Sequence, residues 1–432
     1  MSLTQLEALS RTLFFPWAFL LYAGAMVAYF YRMAFTGGDR RDGGGRVARA
    51  VGVLGVVLLA AGLATHVASL VARSLASGGR VPLGNMYEYS SVMGAGVALI
   101  ALLVVHARMR RPELVGFVLM GGLLMMASAQ VLYTPAGPLM PALQTHWLKI
   151  HTNAMMISST ILIVAFVLTG LFLIRDLAEQ RVAILQAARY QGSTVGAAYV
   201  PPALDDAAEV QRPEGYEDDG GLPAGPGRGG AEEPGAYGAA LRQAVNPLPL
   251  VLGAAAIAFA YSLLFRNPVA TVVAPVVVGL GTLLAWWFLA SLPSAATLDS
   301  LAYRTTAFAF PILTFGVIAG AIWAEQSWGR YWGWDPKETG AFLTWVAYAG
   351  YLHARATRGL RGRGAAGIGV VAFLLLMFTY YAVNLWIAGL HSYQGTGIAA
   401  ESNPPWAGIA GALLIYGGTK LVTRRWSPAA EA

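Results

Sequence analysis

The feature that most constrains this chain is a succession of apolar runs, many of them long enough to cross a lipid bilayer. Hydrophobic residues make up 56% of the 432 residues and charged residues only 12%. A helical crossing needs about 20 apolar residues, and the short alternating segments of a membrane β-barrel do not occur in the sequence. The sequence therefore predicts an all-α, polytopic bundle of transmembrane helices.

The apolar runs predict about eleven transmembrane helices if every run crosses. No small-residue cleavage signature follows the first run, so we interpret it as a retained helix rather than a signal peptide. The predicted spans are 15–35, 48–72, 91–105, 114–132, 151–174, 248–264, 270–290, 306–323, 340–352, 368–387 and 407–421.

Basic residues in the short loops predict the orientation. Four groups of arginines and lysines fall on one side if the N-terminus is outside and the C-terminus is cytoplasmic. The formal charge of +7 is then explained by cytoplasmic loops, and no nucleic-acid partner is expected. This orientation, in a plasma membrane, puts three segments on the outer face: 80–89, 134–149 and the tryptophan-rich loop 328–339.

Composition divides the chain into four parts. Residues 1–174 form the N-terminal helices, the first five spans. Residues 175–243 are rich in glycine, proline and acidic residues, which predicts a disordered cytoplasmic linker. Residues 244–292 form an additional hydrophobic helix pair, and residues 293–426 form a core that contains the tryptophan-rich loop.

Three tryptophans, Trp328, Trp332 and Trp334, lie within seven residues of each other in that loop. Indoles offer large flat faces at little cost in conformational entropy, so their density indicates a platform for a flat apolar ligand. Trp328 and Trp332 would share a face if the loop carried a helical turn. The interleaved Gly329 and Gly333 would let the backbone approach a planar ligand.

The loop ends in a predicted helix start. Asp335 suits the N-cap, Pro336 the first helical position and Glu338 the third, which together make a capping box. Arg330 and Lys337 are candidate partners for the propionates of a haem, or for water and lipid phosphates.

Four of the six histidines are candidate haem ligands. His151 and His391 lie at the outer ends of their spans, level with the tryptophans, which suggests a bis-histidine haem site. His353 lies about 27 Å along a helix from Asp335 and would serve a second, deeper site. His66 lies about 14 Å from the outer end of its span, which is a poor match to the depth of His353. The second ligand opposite His353 is therefore expected in another polypeptide. For each histidine alone, the competing interpretation is an ordinary hydrogen-bonded residue.

The chain contains no cysteine. Structural disulfides, thiolate metal sites and thiol catalysis by its own residues are therefore excluded. Any thiol chemistry must belong to a substrate or partner.

Several strings resemble the system II cytochrome c biogenesis family, of the CcsA/ResC type, labelled CcsB in some actinobacteria. The matching strings are PLGNMYE at 82–88, WLKIH at 147–151, WGRYWGWDPKET at 328–339, YLHAR at 351–355 and GLHSY at 389–393.

This resemblance implies a subunit of a holocytochrome c synthase, or haem lyase. Such a protein takes haem b to the outer face and holds it for thioether attachment to the CxxCH motif of apocytochrome c. By position, His151 and His391 would be the outer axial ligands, beside the three tryptophans and Asp335. His353 would contact haem at the deeper site, with its opposite ligand in a ResB-type partner.

Two alternatives remain at this point. A system I relative of the CcmC type would share the tryptophan-rich motif but deliver haem to a chaperone. A transporter of another class would use the aromatic loop as a gate and would bind no haem. No catalytic acid or base can be identified from the sequence.

Overall fold

In a computed structural model, the chain is described over residues 1–36, 44–138, 143–191, 234–263, 268–387 and 389–391. Those residues form helices joined by short connections, with no strand among them. The α-helices are α1 Leu3–Ala8, α2 Phe15–Thr36, α3 Gly44–Ala76, α4 Met86–Ile100, α5 Pro112–Val131, α6 His146–Gln191, α7 Pro234–Ala244, α8 Pro247–Ser262, α9 Pro268–Trp287, α10 Ala295–Trp328, α11 Pro336–Thr357 and α12 Gly362–Trp386.

Seven helices in the described ranges are long and apolar enough to cross a membrane, and a bent pair would make eight. The seven are Leu3–Phe35, Gly45–Ala76, Met86–Arg108, Pro112–Val131, His146–Gln186, Ala295–Trp328 and Gly362–Leu385. The all-α membrane fold is therefore confirmed. The count of eleven stays a prediction, because α11 is not among the seven, α9 is a shorter apolar helix, and 407–421 lies outside the described residues.

Helices α6 and α10 pack along much of their lengths, as do α2 and α3. Two glycines of α10, Gly316 and Gly320, face α6, because a Cβ at either position would stand within 3 Å of Met155 or His151. Small residues four apart let helix backbones approach closely. This close approach puts the N-terminal end of α6, and hence His151, beside the C-terminal end of α10, where the tryptophan-rich loop begins.

The three segments expected on the outer face lie at one end of the bundle. The Arg80 Nε donates to the carbonyl of Gly137 at 3.2 Å, which joins the first segment to the second. The Tyr380 hydroxyl of α12 donates to the carbonyl of Met86 at 3.1 Å, and Asn384, one turn further on, accepts from Lys337 at 2.8 Å. Which side of the membrane this end faces stays a prediction.

The predicted linker was wrong at both of its ends. Helix α6 continues to Gln191 and α7 begins at Pro234, so 175–191 and 234–243 are helical. Their apolar side chains are buried together, with Leu177, Ala178 and Val182 of α6 packed in one cluster with Leu241 of α7. A composition average over the whole tract hid these amphipathic ends, and 192–233 lies outside the described residues.

Candidate functional site

His391 is held by Asp335 at the end of the bundle that carries the tryptophan-rich loop. Its Nδ1 lies 2.7 Å from Asp335 Oδ2, and the backbone N–H of Leu390 donates to Asp335 Oδ1 at 2.7 Å. The same carboxylate accepts from the backbone N–H of Lys337 and completes the predicted capping box with Glu338. The capping box is therefore confirmed, and its aspartate has a second function that the sequence pattern did not reveal.

The charges at this pair favour a neutral imidazole. Burial lowers the pKa of His391 to about 4, and the Lys337 ammonium adds to this effect against the opposing attraction of Asp335. Burial alone would raise the pKa of Asp335, but hydrogen bonds from His391 and Leu390 leave it below its usual value. At neutral pH the carboxylate is ionised and accepts the Nδ1 proton, so the lone pair of the imidazole lies on Nε2.

His151 has the same arrangement on a different helix. Its Nδ1 lies 2.7 Å from the backbone carbonyl oxygen of Gly316, which can only accept. A neutral His151 therefore carries its proton on Nδ1 and its lone pair on Nε2. The absence of a side chain at Gly320 makes room for the imidazole, because a Cβ there would lie 2.7 Å from His151 Nδ1.

Trp323 contacts both of these histidines. Its ring centroid is 6.5 Å from that of His151, with the planes 9° apart, and 5.6 Å from that of His391, with the planes 59° apart. The two imidazole centroids are therefore no farther apart than the sum of these distances. Trp328 extends this aromatic group, 4.8 Å from Trp323 and 4.9 Å from His391.

Trp332 and Trp334 belong to a separate aromatic group. Their rings are 5.8 Å apart, and both pack edge-on against Phe342 of α11. The condition under which Trp328 and Trp332 would share a face is not met, because Gly329 ends α10 in the left-handed conformation at φ 71° and residues 330–335 are not helical. The loop therefore presents two aromatic groups, separated by the turn at Gly329.

The two glycines of the loop have local explanations. Gly329 provides the left-handed C-cap that favours glycine. Gly333 is covered by the Arg330 guanidinium, since a Cβ at that position would lie 1.2 Å from its Nη1. The expected approach of the Gly333 backbone to a planar ligand therefore finds no support in this conformation, because an arginine occupies that space.

Trp334 combines exposure with backbone strain. Its φ is 58°, a region that costs a non-glycine residue about 1–2 kcal/mol. Its side chain is 65% exposed although the residue next to it, Asp335, is buried. The strained residue directly precedes the capping box at Asp335, and its indole stays largely exposed although it meets Trp332 and Phe342 edge-on.

The two candidate partners of haem propionates, Arg330 and Lys337, each have a partner within the protein. Lys337 Nζ donates to Asn384 Oδ1 at 2.8 Å. Arg330 Nη1 lies 3.7 Å from Glu338 Oε2. The Lys337 ammonium nevertheless lies close enough to His391 to lower its pKa, so it contributes positive charge beside that imidazole.

His353 and His66 are not brought together. His353 is exposed near the far end of α11 from Asp335, and α11 packs on α10 and α12. His66 is fully buried in α3, where its Nε2 lies 3.0 Å from Ser91 Oγ and its ring packs against Phe15 and Tyr22. These contacts favour a packing role for His66, whereas the surface position of His353 leaves it open to a partner.

Three residues of the site were not predicted from the sequence: Trp323, Gly316 and Gly320. One signal was available: Gly316 and Gly320 have the four-residue spacing of closely packed membrane helices, and Trp323 follows Gly320 by about one turn on the same face. Hydrophobicity alone did not separate Trp323 from the rest of an apolar span. No cluster of three or more acidic or histidine side chains with metal-site geometry occurs in the described part of the chain.

Comparison with known proteins identifies related chains. A family model described as cytochrome c assembly protein matches residues 54–391. The chain is 32% identical over 381 residues to the cytochrome c biogenesis protein CcsA of Rippkaea orientalis, covering 87% of this chain and 95% of the relative. It is also 32% identical to the CcsA proteins of a Synechococcus strain, over 91% of this chain and 96% of the relative, and of Trichormus variabilis, over 76% and 84%.

Proposed function

Because this chain belongs to the cytochrome c assembly protein family, as a CcsA-type system II member and a membrane component of cytochrome c biogenesis, we propose that its outer-end site holds haem between His151 and His391. The observation that carries this proposal is the pair of Nδ1 hydrogen bonds, to Gly316 and to Asp335. Histidines that ligate a metal usually donate their other ring N–H to a carbonyl or carboxylate. Both imidazoles are thereby oriented with Nε2 as the ligand atom.

The aromatic side chains supply the apolar surroundings of the macrocycle. Trp323 and Trp328 lie beside the imidazoles, and Trp332 and Trp334 form a second indole pair on the other side of the Gly329 turn. The exposed Trp334 is placed to stack on the porphyrin or on the incoming apocytochrome c. Arg330 and Lys337 provide positive charge for the propionates of haem b.

The reaction at this site is thioether formation. A cysteine thiol of the CxxCH motif adds across a haem vinyl group: the S–H bond and the vinyl π bond break, the sulfur bonds to one carbon, and a proton is added to the other carbon, so no group leaves. This chain has no cysteine, so both sulfurs come from apocytochrome c. The contribution of the present residues is to hold the haem still and oriented, since positioning alone can supply a large part of a rate acceleration.

His353 is proposed as a ligand of haem at a deeper site shared with a ResB-type partner. Its exposure on α11 suits a ligand completed by another polypeptide. With the N-terminus outside and the C-terminus cytoplasmic, haem would pass from this site to the outer site at the plasma membrane. His66, buried against Ser91, is not needed for either step.

The test compares single and double alanine variants of His151 and His391 in the full chain, expressed with its partner. We expect each single variant to lose Soret absorbance on purification and to yield less holocytochrome c, with partial recovery when imidazole is added. His146→Ala is the matched control, since His146 is exposed and begins the same helix.

A double variant that retains both wild-type Soret absorbance and holocytochrome c yield would reject the ligand assignment. Two results together would instead favour the transporter alternative: purified wild-type protein that carries no haem, and normal c-type cytochromes in cells that lack the protein. The three relatives above are CcsA proteins, which favours system II over chaperone delivery of the CcmC type.

A further inference from the structure

Trp323 is the ring that contacts both candidate ligands. It is 1% exposed, nearly parallel to the His151 imidazole and strongly tilted from that of His391. Its other aromatic neighbour, Trp328, meets it edge to face at 64°. An indole buried in this way has little freedom to rotate, so it is a rigid reference for the two imidazoles.

The geometry also defines the angle between the imidazoles. The plane of His151 lies within 9° of the indole plane, and the plane of His391 is 59° from the same indole. The two imidazole planes are therefore tilted from each other by an angle within 9° of 59°. They are held far from parallel.

The hydrogen bonds do not by themselves hold this tilt. The Nδ1 bonds of His151 and His391 each restrain one atom of the ring, and a ring can still pivot about the line of such a bond. A flat side chain packed against the ring removes that motion. Among the aromatic rings of the described residues, Trp323 lies beside both imidazoles, so it can restrain both planes.

We propose that Trp323 is a positioning residue that sets the mutual tilt of the two axial imidazoles on the haem iron. This inference rests on the proposed function, because it requires His151 and His391 to be the ligands. Trp323 acts through the two histidines and is not assigned a contact with the iron.

The tilt has a spectroscopic consequence. In an oxidised low-spin haem, the planes of two axial imidazoles determine how the iron d orbitals split. Parallel planes give three well-separated g values, whereas strongly tilted planes give a signal dominated by one large g value. Wild-type protein loaded with haem is therefore expected to give a signal of the second kind in its electron paramagnetic resonance spectrum.

The experiment records this spectrum for the haem-loaded wild type, Trp323→Leu and Trp323→Phe. Leucine removes the flat face, so the large g value should shift and broaden as the imidazoles lose one fixed tilt. Phenylalanine keeps a smaller flat face and should give an intermediate signal, which preserves the test if the leucine variant does not fold. Trp345→Leu is the control, because Trp345 also packs on α10, by donating from Nε1 to Thr314 at 2.9 Å, but makes no ring contact with either histidine.

A wild-type signal unchanged in both Trp323 variants would overturn the positioning role and leave the ligand assignment intact. The absence of any bis-imidazole signal from wild-type protein would instead overturn the ligand assignment itself, and the positioning role with it. A shift in the Trp345→Leu control equal to that in Trp323→Leu would also overturn the inference, because the effect would then follow from loosened packing of α10.

Discussion

The imidazole of His391 donates a hydrogen bond to Asp335 across 2.7 Å, and that same carboxylate caps the N-terminus of α11. One side chain therefore ends the tryptophan-rich loop, begins the next helix and orients a candidate iron ligand that lies 56 residues later in the chain. A change in the way Asp335 caps α11 would therefore also change the orientation of the His391 imidazole.

Asp335→Asn should remove the charge of this residue while keeping its N-cap and its bond to the imidazole. Asparagine is a good N-cap and its amide oxygen can accept from Nδ1, but it lacks the carboxylate charge that makes the imidazole a stronger donor, and its NH2 group cannot accept the N–H of Leu390 as Oδ1 does. We expect the reduction potential of the bound haem to rise, as measured by redox titration. Asp335→Ala should in addition weaken haem binding by about 10–100-fold. An unchanged potential in Asp335→Asn would contradict this role.

Gly320→Ala should displace His151. The added Cβ would lie 2.7 Å from Nδ1 of the imidazole, so the ring must move away from its bond to Gly316. Haem retention on purification should fall sharply, as measured by Soret absorbance per protein. Gly350→Ala in α11 is the matched control, since a Cβ there meets nothing within 4 Å and alanine favours a helix by up to about 1 kcal/mol. Equal haem retention in the two variants would refute this steric argument.

Haem retention should be almost constant as the pH falls from 7 and should decline as it approaches about 4. The pKa of His391 is about 4 in the folded protein against 6.5 for an ordinary histidine, so its Nε2 stays available over that interval. The associated stability is present above pH 6.5 and is lost as the pH falls toward 4, because protonation then favours the unfolded chain. A pH titration of the Soret band is the measurement, and a midpoint near 6.5 would show that burial does not protect the ligand.

Glu88→Gln should strongly destabilise the N-terminal half. Glu88 is fully buried and accepts from Arg73 Nε at 2.9 Å and from Arg80 Nη1 at 2.6 Å. Removing one member of a buried ion network leaves the others without their counter-charge, at a cost of about 3–5 kcal/mol.

The comparison for that variant is Glu113→Gln, which breaks the exposed pair with Arg111 at 3.4 Å and should cost less than about 1 kcal/mol. Denaturant unfolding in detergent micelles measures both variants. Similar free energies of unfolding for the two would rule out the buried network as a determinant of stability.

Trp334→Gly should reduce function without destabilising the fold. Glycine adopts a φ of 58° without the penalty that tryptophan incurs, so the thermal midpoint should be unchanged or higher. Loss of the exposed indole should lower holocytochrome c yield. Trp17→Leu, which removes another exposed tryptophan, should leave the yield unaltered. Full yield from Trp334→Gly would show that the strained indole serves no purpose in maturation.

Much of the site around His151 and His391 followed from local patterns. The capping box at Asp335 and Glu338 depends on residues three apart, and the start of α11 is visible in the sequence for that reason. The positions of His151 and His391 at one end of the bundle followed from the lengths of apolar spans, because the bilayer thickness limits where a helix can end. The proposed roles of these two histidines as haem ligands came from the resemblance to the family motifs.

Other features depended on which helix packs against which. Trp323 has the sequence signature of any apolar residue in a span, and only the close approach of α6 and α10 puts it beside His151. The hydrogen bond from His391 to Asp335 joins two segments that are distant in the chain, and no repeating pattern in the sequence indicates that they meet. The position of the Arg330 guanidinium over Gly333 depends on the turn at Gly329.

The amino-acid sequence by itself therefore determined the membrane helices, their caps and the residue types of the site, since these depend on local propensity and on transfer of side chains into lipid. The tertiary structure decided the ring planes and the protonated nitrogens of His151 and His391, and the division of the tryptophans into two groups. Those properties depend on contacts between residues distant in the chain, and such contacts exist only once the helices have packed.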